Sequence, residues 1–303
     1  MTDRTYIKSP SRIAFNVLNV FILLLFCFLC IYPFYYILIV SISTPAGVAR
    51  GFYLFPTDIS FTTYEMLFQR DDLLSAFFIS TMRTLIGTFT TILFSSFAAY
   101  LVTKKEMLFN KFVYRFMIIS MYLNAGLIPW FITMKAYGLS NNFFVYIIPG
   151  ALNAFFIILV KTFIEQLPAS MEESAAMDGA GIIRIFFFII IPLSKPIVAT
   201  IAVFAAVGQW NAWMDNFFLV QSKTYQTIQL VLYNYMEEAV RIAQTMRQMG
   251  GGGASADMAN RLNISAVNVR MAATIITVLP ILLVYPYLQK YFVKGIMLGA
   301  IKG

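Results

Sequence analysis

The sequence predicts an all-α integral membrane protein with six transmembrane helices. Of its 303 residues, 60% are hydrophobic and only 12% are charged, and the mean hydropathy is +0.76. This composition leaves too few ionic groups to cover a soluble globule of that length. A bilayer core about 30 Å thick is crossed by about 20 apolar residues in a helix, and six runs of this kind follow one another. We therefore expect one transmembrane domain over residues 1–303.

The predicted spans differ in how much charge they contain. The first has no charged residue and is too long for the apolar part of a signal peptide, so we expect it to be retained. The second contains a single charge, Arg83. Prolines such as Pro33 are tolerated inside spans because neighbouring groups can satisfy the freed carbonyls. The six spans cover about residues 15–41, 76–102, 112–134, 143–162, 197–220 and 271–289.

The positive charges predict the orientation. With a cytoplasmic N-terminus, the inward segments hold clearly more Lys and Arg than the outward ones, as the positive-inside rule requires. We therefore place the chain in the cell (cytoplasmic or inner) membrane with both termini cytoplasmic. The longest outer segment, the extracytoplasmic loop 221–268, contains an amphipathic stretch over 226–249 and then the glycine run Gly250 to Gly253. That run is either a mobile tip that reaches into a partner or a plain flexible linker.

Composition also argues against several kinds of site. The net charge of +8 comes from clusters that flank apolar runs, so we expect no nucleic-acid partner. Histidine is absent, which removes His-based triads and most zinc sites, and we predict no metal site. Cys27 and Cys30 lie inside the first span and are interpreted as packing or lipid-facing residues. The chain lacks a phosphate-binding Gly-x-x-x-x-Gly-Lys-Ser/Thr motif, so we expect it to bind no ATP or other cofactor itself.

The cytoplasmic loop 165–196 is the most informative segment. Pro168 ends the preceding helix, and Ser170 followed three residues later by Glu173 is a capping-box pattern, which predicts a short helix from Ser170. Gly179 and Gly181 predict a break after about two turns.

A second amphipathic helix is expected from Ile182. Its apolar face would include Ile185, Phe186 and Ile189. On the first helix, the small residues Ala175 and Ala176 are predicted on the outer turn, where a partner surface can approach closely.

The same loop contains Glu173-Ser-Ala-Ala-Met-Asp178-Gly179-Ala180, followed by Ile191-Pro192-Leu and Pro196. This pattern resembles the EAA loop of ABC importer permeases, and it lies between the predicted fourth and fifth spans, where that family has it. The chain departs from the pattern only in having Ser174, a small residue, at the first alanine.

Further segments are similar to the carbohydrate-uptake permeases, that is, the maltose-type importers and their oligosaccharide and polysaccharide relatives. They are Gly87-Thr-Phe, Ala99-Tyr-Leu, Gly126-Leu-Ile-Pro, Tyr137-Gly-Leu, Pro192-Leu-Ser-Lys-Pro196, Trp210-Asn211 and the ending from Gly295 to Gly303.

The resemblance implies a type I ABC importer permease fold with a cytoplasmic EAA coupling loop. It also implies a second homologous permease as heterodimer partner, two ATPase subunits that bind ATP and Mg, an extracytoplasmic solute-binding protein and a sugar oligomer as substrate. The coupling residues would be Glu172, Glu173, Ala175, Ala176, Asp178 and Gly179.

Several polar or aromatic residues lie at the depth of the predicted spans, where such residues usually face a cavity or the bundle interior. They either line a sugar path or hold helices together by hydrogen bonds, and Trp210 is also compatible with ordinary packing. In maltose-type importers the sugar contacts can fall mainly on the partner permease. The candidates are Asn124, Gln209, Trp210, Asn211, Trp213, Asp215 and Asn216.

Two other classes of function fit this sequence less well. A proton- or sodium-coupled transporter normally needs intramembrane carboxylates or histidines, and only Asp215 lies within a predicted span. A membrane-embedded enzyme such as a glycosyltransferase needs an acidic cluster or metal site, whereas Glu172, Glu173 and Asp178 already belong to the loop pattern. We therefore expect a non-enzymatic permease.

Overall fold

The computed structural model describes residues 10–49, 55, 56, 58–123, 125–249 and 266–286. Within these ranges the secondary structure is helical apart from turns and one isolated antiparallel bridge, between Ser43 and Ile59, which confirms the all-α class. The α-helices are α1 (Pro10–Ser41), α2 (Pro45–Ala49), α3 (Thr62–Phe68), α4 (Asp71–Thr103), α5 (Asn110–Tyr122), α6 (Leu127–Ala136), α7 (Ala154–Ile164), α8 (Ala169–Met177), α9 (Ile182–Ile185), α10 (Ile191–Leu193), α11 (Lys195–Asn211), α12 (Met214–Leu219), α13 (Ile228–Met249) and α14 (Ala266–Pro286).

Three of the described helices, α1, α4 and α14, are each long and apolar enough to cross a bilayer. Two further candidates are bent pairs: α7 with α8 at 84°, and the segment Ile182–Leu193 with α11 at 85°. Counted this way the described residues supply up to five spans, so the number six stays a prediction.

The predicted third span is not one helix. Helix α5 ends at Tyr122, and α6 begins only at Leu127, after Gly126 with a φ of 82°. That left-handed conformation favours glycine and ends helical geometry locally. The run is mainly apolar, so its mean hydropathy hides the break at Gly126.

The predicted fourth span, 143–162, is α-helical only in its second half. A 3₁₀ turn covers Phe143–Tyr146, and α7 starts at Ala154, where the Asn153 side chain accepts a hydrogen bond from the Phe156 N–H at 3.2 Å. Helix α4 satisfies backbone groups of the irregular stretch between them. Thr91 donates to the Gly150 carbonyl at 2.8 Å, and the Asn153 N–H donates to Ser95 Oγ at 3.1 Å. These bonds let non-helical backbone be buried against protein at membrane depth.

The remaining predicted boundaries also shift. The fifth span divides into α11 and α12 at Ala212 and Trp213. Helix α14 already includes Ala266, five residues before the predicted start at Met271, while residues 250–265, and residues 287–289 of the sixth span, lie outside the described ranges. Helix α13 occupies most of the amphipathic stretch of loop 221–268, and the glycine run Gly250 to Gly253 lies outside the described residues.

The contacts divide the chain into two compact units. The first consists of Met1–Leu67 and Tyr235–Ile276. In it, the Asn268 side-chain amide donates to the carbonyls of Val40 at 3.0 Å and Ser43 at 2.7 Å, so the end of α1 is tied to the start of α14.

The second unit consists of Phe68–Asn234 and Thr277–Gly303. Helix α4 is its centre and packs mainly against α7 and α11. Their shared core contains Ala99, Tyr100, Val160, Phe186 and Ile201, all buried. Both candidate sites described next belong to this unit.

Candidate functional site

The first candidate site is the loop 165–196, in which α8 lies between two sharp bends. Pro168 is the N-cap residue of α8, and no side chain caps this end of the helix. The helix therefore begins at Ala169, and the predicted capping box of Ser170 and Glu173 is wrong. The φ of Pro168, −62°, and its lack of an N–H let the chain turn at this point without a capping side chain.

The C-terminal end of α8 is a Schellman motif centred on Gly179. The Ala180 N–H donates to the Ala175 carbonyl at 3.0 Å, and the Gly179 N–H donates to the Ala176 carbonyl at 3.0 Å. Gly179 has a φ of 79°, which is the left-handed conformation that this motif requires and that glycine adopts without strain. The predicted helix break at Gly179 is thus present, and its physical cause is the turn.

Glu172 anchors α8 to the C-terminal end of α4. Its carboxylate accepts a hydrogen bond from the Tyr100 hydroxyl at 2.9 Å and forms an ion pair with Lys104. The Lys104 ammonium also lies 4.1 Å from the centre of the Tyr100 ring, within cation–π range. Burial lowers the pKa of Lys104, and the nearby Glu106 carboxylate partly opposes that change. Glu172 therefore ties the short helix to α4.

The exposed surface of α8 differs from the predicted one in one position. Ala175 packs against the shared core, so it lies on the inner side of the helix instead of the predicted outer turn, while Ala176 is exposed. Glu173 and Asp178 are exposed as well, and Met177 is 88% exposed. Met177 is the last residue of α8 and an apolar member of its exposed surface, and the sequence analysis did not single it out.

The second part of the loop fixes this arrangement in the core. Ile185 and Phe186 are buried, and Phe186 packs edge-on against Phe97 with ring centres 5.1 Å apart. The residues Phe186–Ile190 form a π-helical turn just before Pro192. Pro192 lacks an N–H and so cannot bond to a carbonyl of the preceding turn, although the helix continues through α10 to Leu193.

The second candidate site is a polar cluster around Arg83, in the middle of α4. The guanidinium is buried and forms a two-point ion pair with Asp215, in which Nη1 donates to Oδ1 at 3.0 Å and Nη2 donates to Oδ2. Nη1 also donates to the Ala212 carbonyl at 3.1 Å. Arg83 thereby satisfies the backbone at the break between α11 and α12, and Asp215 balances its charge.

Gln209 completes this cluster. Its side-chain oxygen accepts from Arg83 Nε at 3.1 Å, and its amide donates to the Tyr146 carbonyl at 3.2 Å. The side chain fits a gap between two glycines, since a Cβ at Gly87 would approach Gln209 to 2.7 Å and one at Gly150 to 3.3 Å. The absence of side chains at these two positions is therefore what makes room for Gln209.

Two adjoining cavities open beside the cluster. The first has a volume of about 330 Å³ and is lined by Arg83, Asp215 and Gln209 together with Trp130 and Tyr146. The second, about 450 Å³, is lined by Asn211 and Trp213 and shares Trp130, Ala212 and Asp215 with the first. The shared walls make the two cavities neighbours along α11, with both polar and aromatic groups at their surface.

The structure distributes the predicted path residues over different environments. Gln209, Asn211, Trp213 and Asp215 line the cavities, and the Trp213 ring also stacks on Tyr233 at 5.6 Å. Asn124 lies outside the described residues.

Trp210 and Asn216 do not line either of these two cavities. Trp210 is buried, donates to the Thr277 carbonyl at 2.9 Å and packs edge-on against Phe77. Asn216 is fully buried, and its side-chain oxygen accepts from the Thr227 N–H at 2.8 Å. These two side chains take part in helix packing and loop hydrogen bonds.

Sequence reasoning missed the partners that shape this site. Arg83 was visible as the one charge in an apolar run, but its pairing with Asp215 joins residues 132 positions apart. Trp130 and Tyr146 carried no signal, because isolated aromatic residues are common in membrane spans.

The chain is similar to transport permeases over most of its length. A family model described as the binding-protein-dependent transport system inner membrane component matches residues 91–298. The polygalacturonan/rhamnogalacturonan transport system permease protein YtcP of Bacillus subtilis (strain 168) is 32% identical over 290 residues, covering 95% of this chain and 98% of that protein. Protein LplC of the same organism is 33% identical, covering 95% of each.

A solved structure is similar as well. It is the crystal structure of a bacterial ABC transporter involved in the import of the acidic polysaccharide alginate. One of its chains matches with a TM-score of 0.80 and 30% identity, over 95% of this chain and 100% of that chain.

Proposed function

The chain belongs to the family of inner membrane components of binding-protein-dependent transport systems, and from that premise we propose that it is the coupling permease of an ATP-driven sugar-oligomer importer. Membership makes it a multi-pass membrane permease of the type I ABC importer fold and not an enzyme. A carbohydrate cargo is supported by the relatives, which are named for polysaccharide transport.

The observation that carries the coupling role is the geometry of α8. This helix is held from behind by Glu172 on α4 and by Ala175 against the core, and it presents Glu173, Ala176 and Met177 outward. Its end is fixed by the Schellman turn at Gly179. A short helix that is rigidly attached on one side and exposed on the other transmits force from a docked partner to α4 and α11.

The proposed assembly contains a second homologous permease, two ATPase subunits and an extracytoplasmic solute-binding protein. In it, ATP and Mg are bound by the ATPase subunits, which dock at Glu173, Ala176, Met177 and Asp178, while Glu172, Ala175 and Gly179 hold the helix. The termini are cytoplasmic in this arrangement, and the sugar passes along the cavities lined by Gln209, Asn211, Trp213 and Asp215.

Reconstituted transport tests this proposal. The chain is co-purified with the permease, ATPase and binding protein encoded beside it, placed in liposomes and supplied with ATP and a panel of labelled oligosaccharides. We expect uptake of at least one oligosaccharide that requires both ATP and the binding protein. ATP-independent uptake driven by a proton or sodium gradient would contradict the proposal.

A further inference from the structure

The polar cavity beside α4 contains a balanced pair of charges. Among the described residues that line it, Arg83 and Asp215 are the charged ones, and they form a two-point ion pair with each other. Their side chains are only 3% and 16% exposed. The wall of the cavity therefore presents a dipole to a ligand and no uncompensated charge.

The Arg83 guanidinium has little capacity left for an external anion. Its Nε donates to Gln209, its Nη1 to the Ala212 carbonyl and to Asp215, and its Nη2 to Asp215. Every nitrogen of the group thus already has an acceptor within this chain. A ligand carboxylate that pairs with the guanidinium at two points would have to displace Asp215, whose own charge would then be buried without a partner.

The carboxylate of Asp215 is held equally firmly. Besides its two bonds with Arg83, Oδ1 accepts the Asn216 N–H at 2.8 Å. An anionic ligand that enters without displacing Asp215 is repelled by this carboxylate at the cavity wall, and the repulsion offsets the attraction of the ligand to Arg83. The cost of desolvating the ligand's charge is then left uncompensated.

The other walls suit a neutral polyol. Trp130 lines both cavities, Trp213 lines the second, and the first has amide and hydroxyl groups from Gln209, Asn153 and Thr91. Flat apolar rings with a few hydrogen-bonding groups fit the alternating C–H and O–H surface of a pyranose.

We propose that the cavity of this subunit accepts uncharged sugar units and discriminates against uronate carboxylates. The proposal rests on the proposed function and names the substrate class of that site. It also separates this chain from the acidic polysaccharide of the solved alginate transporter. Acidic units would have to be esterified, be neutralised, or make their contacts on another subunit.

The test uses trigalacturonate and its methyl ester, two ligands with the same sugar backbone of which only the acid is charged. Binding to the purified permease–ATPase complex in nanodiscs of uncharged lipid is followed by quenching of tryptophan fluorescence, and a Trp130→Phe variant locates the signal. We expect the ester to bind wild-type complex about tenfold more tightly than the acid. Equal affinity, or tighter binding of the acid, would overturn the inference.

A charge variant supplies an independent measurement. Asp215→Asn removes the internal partner of Arg83, so the affinity for the acid should rise about tenfold relative to the ester. The matched control is Asp58→Asn, which removes an exposed carboxylate at a position whose φ of 53° asparagine tolerates. An unchanged acid-to-ester ratio in folded Asp215→Asn contradicts the inference.

The charge discrimination and the transport function can be tested apart. Binding of acid and ester alike, with ATP-driven uptake intact, removes only the charge discrimination. Binding of neither ligand contradicts the inference, and if ATP- and binding-protein-dependent uptake is also absent, the proposed function falls with it.

Discussion

At the scale of single residues, Gly179 and Gly181 are close in sequence but have different backbone conformations. Gly179 has a φ of 79° and terminates α8, whereas Gly181 has a φ of −73° and precedes α9. No atom lies within 4 Å of a Cβ built at either position. A substitution at Gly179 is therefore opposed by backbone strain alone, and one at Gly181 is not.

The first prediction compares valine at these two positions. Gly179→Val forces a β-branched residue into the left-handed region, which costs about 1–2 kcal/mol. This cost lowers the population of the α8 conformation that docks by about tenfold. Substrate-stimulated ATP hydrolysis of the reconstituted complex should fall accordingly, with Gly181→Val close to wild type. Equal substrate-stimulated ATP hydrolysis in the two variants would show that the backbone conformation of Gly179 is not needed for coupling.

Gly87 has a different role, because it provides space for Gln209. Alanine at Gly87 would push the end of the Gln209 side chain away from Arg83 and the Tyr146 carbonyl. Gly208 lies inside α11 with no atom within 4 Å of its built Cβ. Both glycines gain similarly in helix propensity on change to alanine, so comparing them isolates the contact with Gln209.

We expect Gly87→Ala to be less stable than Gly208→Ala by about 1–2 kcal/mol, as for the loss of two hydrogen bonds. Thermal unfolding of the purified permease complex in detergent measures the difference. In a Gln209→Ala background the two substitutions should become equivalent. A difference that persists in that background would show that Gln209 is not the cause.

At the scale of elements, α8 is a short helix whose position depends on α4. Glu172 attaches it to α4 through a hydrogen bond from Tyr100 and an ion pair with Lys104. Ala175 and Ala180 add apolar contacts with the core. The partly exposed ion pair contributes on the order of 1 kcal/mol or less, because water screens it. Its effect is to restrict the movement of a helix that has no capping side chain at its N-terminus.

The corresponding prediction concerns the mobility of α8. Glu172→Gln should speed amide hydrogen exchange in Ala169–Met177 several-fold, because it weakens the tie to α4. Glu173→Gln is the matched control, since Glu173 is exposed and the same charge is removed. If both variants exchange alike, the ion pair does not hold the helix.

The element boundaries show which signals the sequence carries. The end of α8 was predictable because one glycine in a left-handed conformation produces it, and the amphipathic stretch that became α13 was visible from its periodicity. The start of α8 was misassigned by one residue. Ser170 and Glu173 suggested a capping bond, but the chain turns at Pro168 without one. The breaks at Gly126 and before Asn153 lie in runs whose high mean hydropathy outweighed the local signals of Gly126 and Pro149-Gly150.

At the scale of the whole molecule, composition and the loop pattern were sufficient for the fold class and the family. Both depend on features spread along the chain or on a short contiguous motif. The polar site could not be assembled in the same way, since the contacts of Arg83 with Asp215 and of Gln209 with Tyr146 join distant parts of the sequence. Burial likewise decided that Asn216 and Trp210 serve packing, which residue type alone left open.

The central claim is that α8 is the surface on which an ATPase subunit docks. Site-specific cross-linking tests it most directly, with cysteine at Ala176 in a chain whose Cys27 and Cys30 are replaced by serine. Cysteine at Tyr137, which is 75% exposed in the segment after α6, is the matched control. In the assembled complex we predict a nucleotide-sensitive cross-link from position 176 to the ATPase and none from position 137. Absence of the cross-link at 176 in a complex that still transports sugar would contradict the account.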